Sequence, residues 1–278
     1  MKQPLGSFLI AFFCVWQSLA FADDTDIYLN TGSNPAAPHL MLMFDYRTDM
    51  TATFCSASGG GSCANTLADH PDLLAALEGI VGEGNAADNI SAVMAVFQVV
   101  FAKFEGIFVG LMMPNDTNGG TILRGYKEFQ VDDANGAKAE IVSILQSIPT
   151  GGSGEGFFHD VQPKETHYEL FRYLNGGAVA LGTSTEDNFQ GTRTPDFDPD
   201  IIDADGNYIS PFADPDVDFS CTKLYEVYAT SGNAGGNVDD DLDAEIEADM
   251  DAEATDPDFD GMVSYMTHND LVDNVEGE

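Results

Sequence analysis

Basic residues are scarce in this chain of 278 residues, which has 10 Lys and Arg against 47 Asp and Glu and a formal net charge of -37. A surface with this imbalance repels the phosphates of nucleic acids and of anionic membranes, so we expect neither as a partner. Salt would screen the self-repulsion of such a chain. Hydrophobic residues still make up 44% of the sequence, which is enough to build a core and argues against global disorder.

Motifs of the common catalytic sites are also missing. The five His residues show no His-x-x-x-His spacing, and there is no Gly-x-Ser-x-Gly, no Walker loop and no dinucleotide fingerprint after the first predicted strand. A histidine lies close to an acidic residue, as in many catalytic pairs, at His159-Asp160 and at Glu165-Thr166-His167. A loop histidine beside an acid is more often a surface hydrogen bond than a catalytic pair. We therefore expect a protein that is not an enzyme.

Long apolar runs are absent after residue 22, so we expect no membrane span in the mature chain. The first residues combine a positive start at Lys2, an apolar stretch up to Leu19, and Ala20-Phe21-Ala22 with small residues where a signal peptidase reads. This layout predicts a cleaved signal peptide over residues 1–22, an exported protein, and a mature chain that begins at Asp23. A retained membrane anchor is the alternative, but the apolar core is short for a span.

Cysteines are few, and Cys14 would leave with the signal peptide. Cys55 and Cys63 flank the Gly- and Ser-rich residues 56–62. A disulfide between them suits an exported protein and would stabilise it by about 2–3 kcal/mol. The alternative is two exposed thiols in a flexible loop. Cys221 is left over, either as a buried free thiol or as the partner of a cysteine outside this chain.

The hydrophobic pattern predicts an α/β fold with a mainly parallel sheet, because buried strands alternate with helices. Strands are predicted at 39–44, 107–113, 121–130 and 224–229. Helices are predicted at 71–81, 88–104, 136–148 and 163–174. Residues 183–219 have no periodic pattern and are rich in Asp, Pro, Asn and Gly, which predicts a surface excursion. Residues 239–260 form an acidic segment.

Four stretches of the chain follow one another in a recognisable order. They are residues 22–29 (ADDTDIYL), 39–45 (HLMLMFD), 108–115 (FVGLMMPN), and 208–211 (YISP) with 221–228 (CTKLYEVY). With Asp45 ending the first strand, this order resembles the von Willebrand factor type A domain. More closely, it resembles the N-terminal part of type IV pilus tip-associated adhesins of the PilY kind. The likeness covers most of residues 22–276.

The resemblance implies a three-layer α/β sandwich over residues 23–278, with an acidic insertion at about 183–219 and the acidic segment at about 239–260. It also implies that the chain stops near the point where the next strand of the sheet would be expected. Such a protein would either be a fragment or depend on a partner to cover an open sheet edge.

In von Willebrand factor A domains, loops at the strand ends hold a divalent cation through Asp-x-Ser-x-Ser, a Thr, and the Asp of Thr-Asp-Gly. Here Asp45 and Thr166 match the first Asp and the Thr. Arg47 and Asp49 stand where the two serines would be, and Ser231 replaces the last aspartate. A guanidinium has no lone pair for a cation. The resemblance therefore implies a degenerate magnesium site whose remaining oxygen donors are Asp45, Asp49 and Thr166.

A second group of oxygen donors lies near the C-terminus. Asp256, Asp258 and Asp260, followed by Gly261, fit the first positions of a calcium-binding EF-hand loop. The twelfth position falls on Thr267, where a bidentate Glu is expected. One interpretation is a calcium loop, and the other is an acidic cap at the start of a helix. We expect no resident cofactor, and magnesium and calcium are the cations for which the chain has donors.

The resemblance implies a non-catalytic, adhesin-like or pilus-assembly protein of the fimbrium. It would be located in the periplasm, at the pilus tip or on the cell surface, and would bind pilus or cell-surface proteins through loops at the strand ends. The alternative is a secreted acidic calcium-binding module, whose Asp-rich loops become ordered only with metal. A calcium titration followed by circular dichroism distinguishes the two.

Overall fold

The computed structural model of this protein describes most of the chain between residues 37 and 249. The described residues are 37–45, 50, 52–114, 119–130, 136–148, 163–183, 196–214, 219, 222–230, 245–246 and 248–249. The chain divides into the units Met1–Pro35 and Ala36–Glu278, and all described residues belong to the second. The predicted signal peptide lies outside them. In this described part, no helix has the length and apolarity needed to cross a membrane.

Strands and helices alternate along the described chain. The strands are β1 His39–Phe44, β2 Thr53–Cys55, β3 Ala87–Asp88, β4 Ile107–Pro114, β5 Gly120–Phe129 and β6 Leu224–Ala229. The helices are α1 Cys63–Thr66, α2 Pro71–Val81, α3 Asn89–Phe101, α4 Ala137–Ser147 and α5 Pro163–Asn175, and Pro199–Ile201 forms a short 3-10 helix. The α/β class that the sequence predicts is confirmed.

The central sheet has the strand order β5-β4-β1-β6. β1 is parallel to both of its neighbours, whereas β5 runs antiparallel to β4. From β1 the chain passes through α3 to β4 on one side, and it reaches β6 on the other side only after β5 and α5. The sheet is therefore mostly parallel, as predicted, with its first strand in the interior.

Each face of the sheet packs against helices. Met41 and Met43 of β1 point to the face covered by α5, where Tyr168 and Phe171 are also buried. Leu42 and its alternate neighbours point to the other face, which α3 and α4 cover. A strand buried on both faces has no polar alternation, which explains the continuous apolar run of β1. Helices on both faces of one sheet form a three-layer arrangement.

The cysteine loop belongs to a small lobe on the outer side of α3. Cys55 and Cys63 are joined by a disulfide with their Cα atoms 5.0 Å apart, which is the pairing that the sequence predicts. Both cysteines are buried together with Leu77 of α2 and Ala95 of α3. The disulfide thus fixes the short strand β2 and helix α1 against the helices of the α3 face.

The prediction of a surface excursion over about 183–219 is wrong for residues 196–214. Ile201, Tyr208 and Phe212 are buried in the core on the α5 face. The N–H of Asp198 donates to the carbonyl of Ile122 on the outer edge of β5 at 2.9 Å. These large side chains come singly from irregular backbone, so they produce no period that a sequence pattern could show.

Two arginines hold acidic segments against the body of the protein. The guanidinium of Arg124 on β5 lies 2.8 Å from the carboxylates of both Asp198 and Glu140. Arg172 on α5 pairs with Asp249 at 2.9 Å and also with Glu245. Residues 245–249 belong to the acidic segment predicted at about 239–260.

The same short stretch also contributes to the core. Ile246 is buried in the apolar cluster on the α5 face. The hydroxyl of Tyr168 donates to the carboxylate of Asp249 at 2.6 Å. This part of the acidic segment is therefore packed against α5 by apolar contact as well as by charge.

Candidate binding site at the carboxyl-terminal edge of the sheet

Asp45 follows β1 directly and is completely buried. Its N–H donates to the carbonyl of Ala229 at 2.8 Å, which continues the ladder between β1 and β6 by one residue. Its carboxylate accepts a hydrogen bond from the hydroxyl of Thr230 at 3.1 Å. The end of β1 and the end of β6 are thus joined through both backbone and side chains.

The position of this pair in the sheet is the one at which open α/β sheets bind ligands. The connection that leaves β1 leads to β4 on one side, while β6 lies on the other side of β1. Ligands bind outside the carboxyl ends of strands at the point where the strand order reverses. Asp45 and Thr230 stand at this point.

A groove opens beside the pair. It has a volume of about 770 Å³ and is lined by α2, α3, the β2 segment and the end of β6, including Ala229 and Thr230. Almost all lining side chains are apolar, and Asn89 and Thr230 are the polar ones. Phe54 and Val96 stand on its rim with 37% and 41% of their surface exposed. An apolar cleft of this size with few polar groups is typical of a binding site.

The wall of the groove depends on how α3 begins. Asp88 caps the helix, and its carboxylate accepts hydrogen bonds from the N–H and the hydroxyl of Ser91 at 2.8 and 2.5 Å. The N–H of Asn89 donates to the carbonyl of Ala52 at 3.0 Å, which ties the helix start to the β2 segment. An Asp at this position satisfies N–H groups that have no partner within the helix. The groove is therefore built on a fixed helix start.

The charged residues next in sequence to the lining residues of α2 are acidic. Asp72 and Glu78 flank the lining residues Leu73 and Leu77 along α2. No Lys or Arg is among the described residues that line the groove. Together with the net charge of the chain, this arrangement favours apolar groups attached to a cationic or neutral molecule.

Thr166, the predicted metal-binding threonine, lies in the first turn of α5. Its hydroxyl donates to the carbonyl of Gly119 at 3.2 Å, and the N–H of Gly119 donates to the carboxylate of Glu165 at 2.7 Å. Gly119 directly precedes β5. In the sheet, β4 lies between β5 and β1. The structure therefore brings Asp45 and Thr166 to the same end of the sheet, but Thr166 contacts the start of β5 and Asp45 follows β1, two strands away.

The other predicted metal-site residues cannot be placed in this way. Asp49, Arg47 and Ser231 lie outside the described residues, as do Asp256, Asp258 and Asp260 of the possible calcium loop and the leftover Cys221. Within the described ranges, no group of three or more His, Cys, Asp or Glu side chains is arranged to hold a metal ion.

Sequence reasoning missed the polar contacts of two buried side chains of α5, His167 and Glu169. The ring of His167 pairs with the carboxylate of Glu226 on β6. Glu169 accepts hydrogen bonds from the N–H groups of Ala180 and Leu181 at 3.2 and 2.8 Å and from the hydroxyl of Tyr208 at 2.5 Å. Burial raises the pKa of Glu169, while these donors lower it. Both contacts tie α5 to neighbouring segments, and no sequence spacing identifies them.

His39 lies at the opposite edge of the sheet, at the start of β1. Its ring stacks on Phe108 with centroids 4.6 Å apart and meets the edges of Tyr126 and Phe212 at 4.8 and 5.2 Å. Its Nδ1 lies 2.9 Å from the carbonyl of Ala37. Burial among these rings lowers the pKa of His39 to about 4. The ring is therefore neutral at physiological pH and acts as an aromatic core residue.

Comparisons of the chain with family models, with curated proteins and with solved structures gave no match.

Proposed function

We propose that this chain is an exported, non-catalytic protein-binding module of the adhesin type with a von Willebrand factor A-like fold. In this proposal its partners are pilus or cell-surface proteins, which it contacts at the carboxyl-terminal edge of the sheet. The observation that carries the proposal is the apolar groove beside Asp45 and Thr230, at the point where the strand order reverses.

Two further observations support binding through this groove. Val96 and Phe54 expose large apolar surface at its rim, which a soluble domain usually keeps small unless a partner covers it. The apolar lining in a strongly acidic chain suits a segment whose apolar side chains enter the groove while its Lys or Arg side chains meet the negative charge of the surface. A flexible peptide of a partner protein meets both requirements.

Selection from a displayed library of random twelve-residue peptides tests this proposal. Peptides selected on the immobilised mature chain should combine apolar or aromatic residues with Lys or Arg. Val96→Asp should weaken their binding at least about tenfold, because the new carboxylate is placed in the groove. Val100→Asp is the matched control, since Val100 is one turn further along α3, 37% exposed, and not among the lining residues. Equal binding to both variants and to the wild type would refute a groove site.

A further inference from the structure

The two outermost strands of the central sheet, β5 and β6, differ in whether other residues cover their outer sides. The outer edge of β5 is covered by residues 196–214, where the N–H of Asp198 bonds to Ile122 and its carboxylate accepts the N–H of Gly125 at 2.9 Å. On the other side, no described strand lies beyond β6. An uncovered edge presents N–H and C=O groups to which another chain can add a strand.

The ladder with β1 shows which groups of β6 face outward. The N–H of His39 bonds to the carbonyl of Lys223, and the N–H of Asp45 bonds to that of Ala229. In a parallel pair, alternate residues point their backbone groups to the same neighbour. Tyr225 and Val227 therefore face β1, and the backbone groups of Leu224 and Glu226 point away from the sheet.

The middle of β6 presents one charged and one apolar side chain to solvent. Glu226 and Val227 in its middle are exposed, with 46% of the surface of Val227 accessible. Natural edge strands are often protected by Pro, by charged side chains such as Lys, or by a bulge. β6 contains no Pro or Lys, its register with β1 is continuous from Leu224 to Ala229, and Glu226 is its one charged side chain.

We propose that β6 accepts an added strand from a partner protein, and that this strand alternates apolar and basic residues. On the α3 face the added side chains would lie beside Val227, which favours apolar residues. On the α5 face they would lie beside Glu226, whose carboxylate pairs with His167 on its inner side and whose side chain remains 26% exposed, which favours Lys or Arg. The net charge of -37 attracts such a strand from a distance.

A second copy of this chain is a poorer occupant. Two copies with this charge repel each other, and pairing of their β6 strands would place exposed Glu226 side chains near one another. The proposed surface shares the end of β6 with the groove, but Glu226 and Val227 do not line the groove. Failure of one proposal therefore leaves the other standing, and the experiments below report on β6 alone.

Residue-resolved amide hydrogen exchange on the free mature chain is the first test. The N–H groups of Leu224 and Glu226 should exchange quickly, while those of Tyr225 and Val227, which face β1, should exchange slowly. A slow Glu226 amide in a monomer would show that the chain covers its own edge, and this would overturn the proposal. A dimer by light scattering with the same protection would identify a second copy and overturn it equally.

The second test uses an acetylated ten-residue peptide of alternating lysine and valine as the probe. Its binding should slow exchange of the Glu226 amide at least about tenfold. A peptide of the same composition, with five lysines followed by five valines, controls for charge attraction alone and should leave this amide unchanged. The same response to both peptides, or no response to either, would contradict strand addition.

Substitutions at the edge separate backbone pairing from side-chain effects. Glu226→Pro removes an outward N–H, and Glu226→Ala removes only the carboxylate. The proline variant should bind the alternating peptide at least about tenfold more weakly than the alanine variant. If the proline variant does not fold, Val227→Lys replaces it, with Val100→Lys as control. Val227→Lys should weaken binding of the alternating peptide about fivefold, and Val100→Lys should leave it unchanged. If Val227→Lys binds the peptide as the wild type does, the proposal is ruled out.

Discussion

Thr230 donates its hydroxyl to the buried carboxylate of Asp45, and this hydrogen bond joins the ends of β1 and β6. Thr230→Val keeps the shape of the side chain but removes the donor. The free energy of unfolding should fall by about 1–3 kcal/mol, because a buried carboxylate loses part of its solvation. Urea denaturation measures the change. Thr222→Val is the control, since its buried hydroxyl has no hydrogen-bond partner among the described residues, and it should cost nothing or stabilise.

His39 should make the fold sensitive to acid. Its pKa is about 4 in the folded chain against an ordinary value of 6.5. Between pH 4 and pH 6.5, His39 is protonated in the unfolded chain but not in the folded chain. The neutral buried ring therefore contributes its full stability above pH 6.5, and this contribution is lost as the pH falls towards 4. The loss amounts to about 3 kcal/mol, at about 1.4 kcal/mol for each pKa unit.

The measurement for His39 is a double difference. The free energy of unfolding is determined at pH 7 and at pH 4.5 for the wild type and for His39→Phe. The variant should lose less stability between the two pH values. His70→Phe, at the exposed start of α2, should behave like the wild type. Equal losses in the wild type and in His39→Phe would show that the ring does not titrate as stated.

Magnesium at millimolar concentration should not raise the melting temperature of the wild type. The sequence places Arg47 among the oxygen donors, and a fixed positive charge a few ångströms from a cation costs on the order of 1–4 kcal/mol. Ser231 also replaces a carboxylate. The double change Arg47→Ser with Ser231→Asp should create a magnesium-dependent rise. If magnesium does raise the melting temperature of the wild type, and Asp45→Ala removes this rise, a metal-dependent adhesin becomes the leading hypothesis.

Calcium distinguishes the adhesin proposal from the acidic calcium-binding module. The circular dichroism spectrum of the mature chain should stay flat during a calcium titration. If calcium produces a large gain of secondary structure, and the double variant Asp256→Ala, Asp258→Ala abolishes this gain, the calcium-binding module is favoured.

The disulfide should contribute about 2–3 kcal/mol, as expected for a loop of this length. The double variant Cys55→Ser, Cys63→Ser should lose this much free energy of unfolding in urea. A reductant should weaken the wild type by a similar amount and leave the double variant unchanged. A reductant effect that persists in the double variant would point to Cys221 instead.

Processing of the N-terminus is tested by mass spectrometry of secreted material, which should begin at Asp23. An intact Met1 in a membrane-embedded form would contradict export with cleavage.

The elements with strong apolar patterns could be predicted from the sequence. β1 and β6 have the predicted bounds, because each is a short apolar or β-prone run between polar residues. The apolar spacing predicts α3 over 88–104, whereas the helix ends earlier, at Phe101. Phe104 continues the apolar spacing without being helical, since it packs against the same core from the following turn. Periodicity reports which side chains are buried, and the backbone hydrogen bonds decide where a helix ends.

The candidate site could be predicted only in part. The family resemblance points to Asp45 after the first strand and to Ser231 in the place of the last aspartate, and Asp45 does lie at the carboxyl-terminal end of the sheet. The groove could not be found in this way, because its walls come from α2, α3 and β6, which are far apart in the chain. The pairing of His167 with Glu226 joins residues 59 positions apart. Contacts of this kind depend on the packed arrangement of the helices and have no local signature.

Arg124 and Arg172 give this protein an uneven tolerance to mutation. Each one holds two or more carboxylates in a chain with 10 basic residues, and a lysine could not present the same planar fork to several acids. Over evolutionary time the exposed surface can therefore gain further aspartates at little cost. The same drift at either arginine would leave several carboxylates without their cation and weaken the attachment of an acidic segment, so these two positions should be the last basic residues that a lineage of such chains gives up.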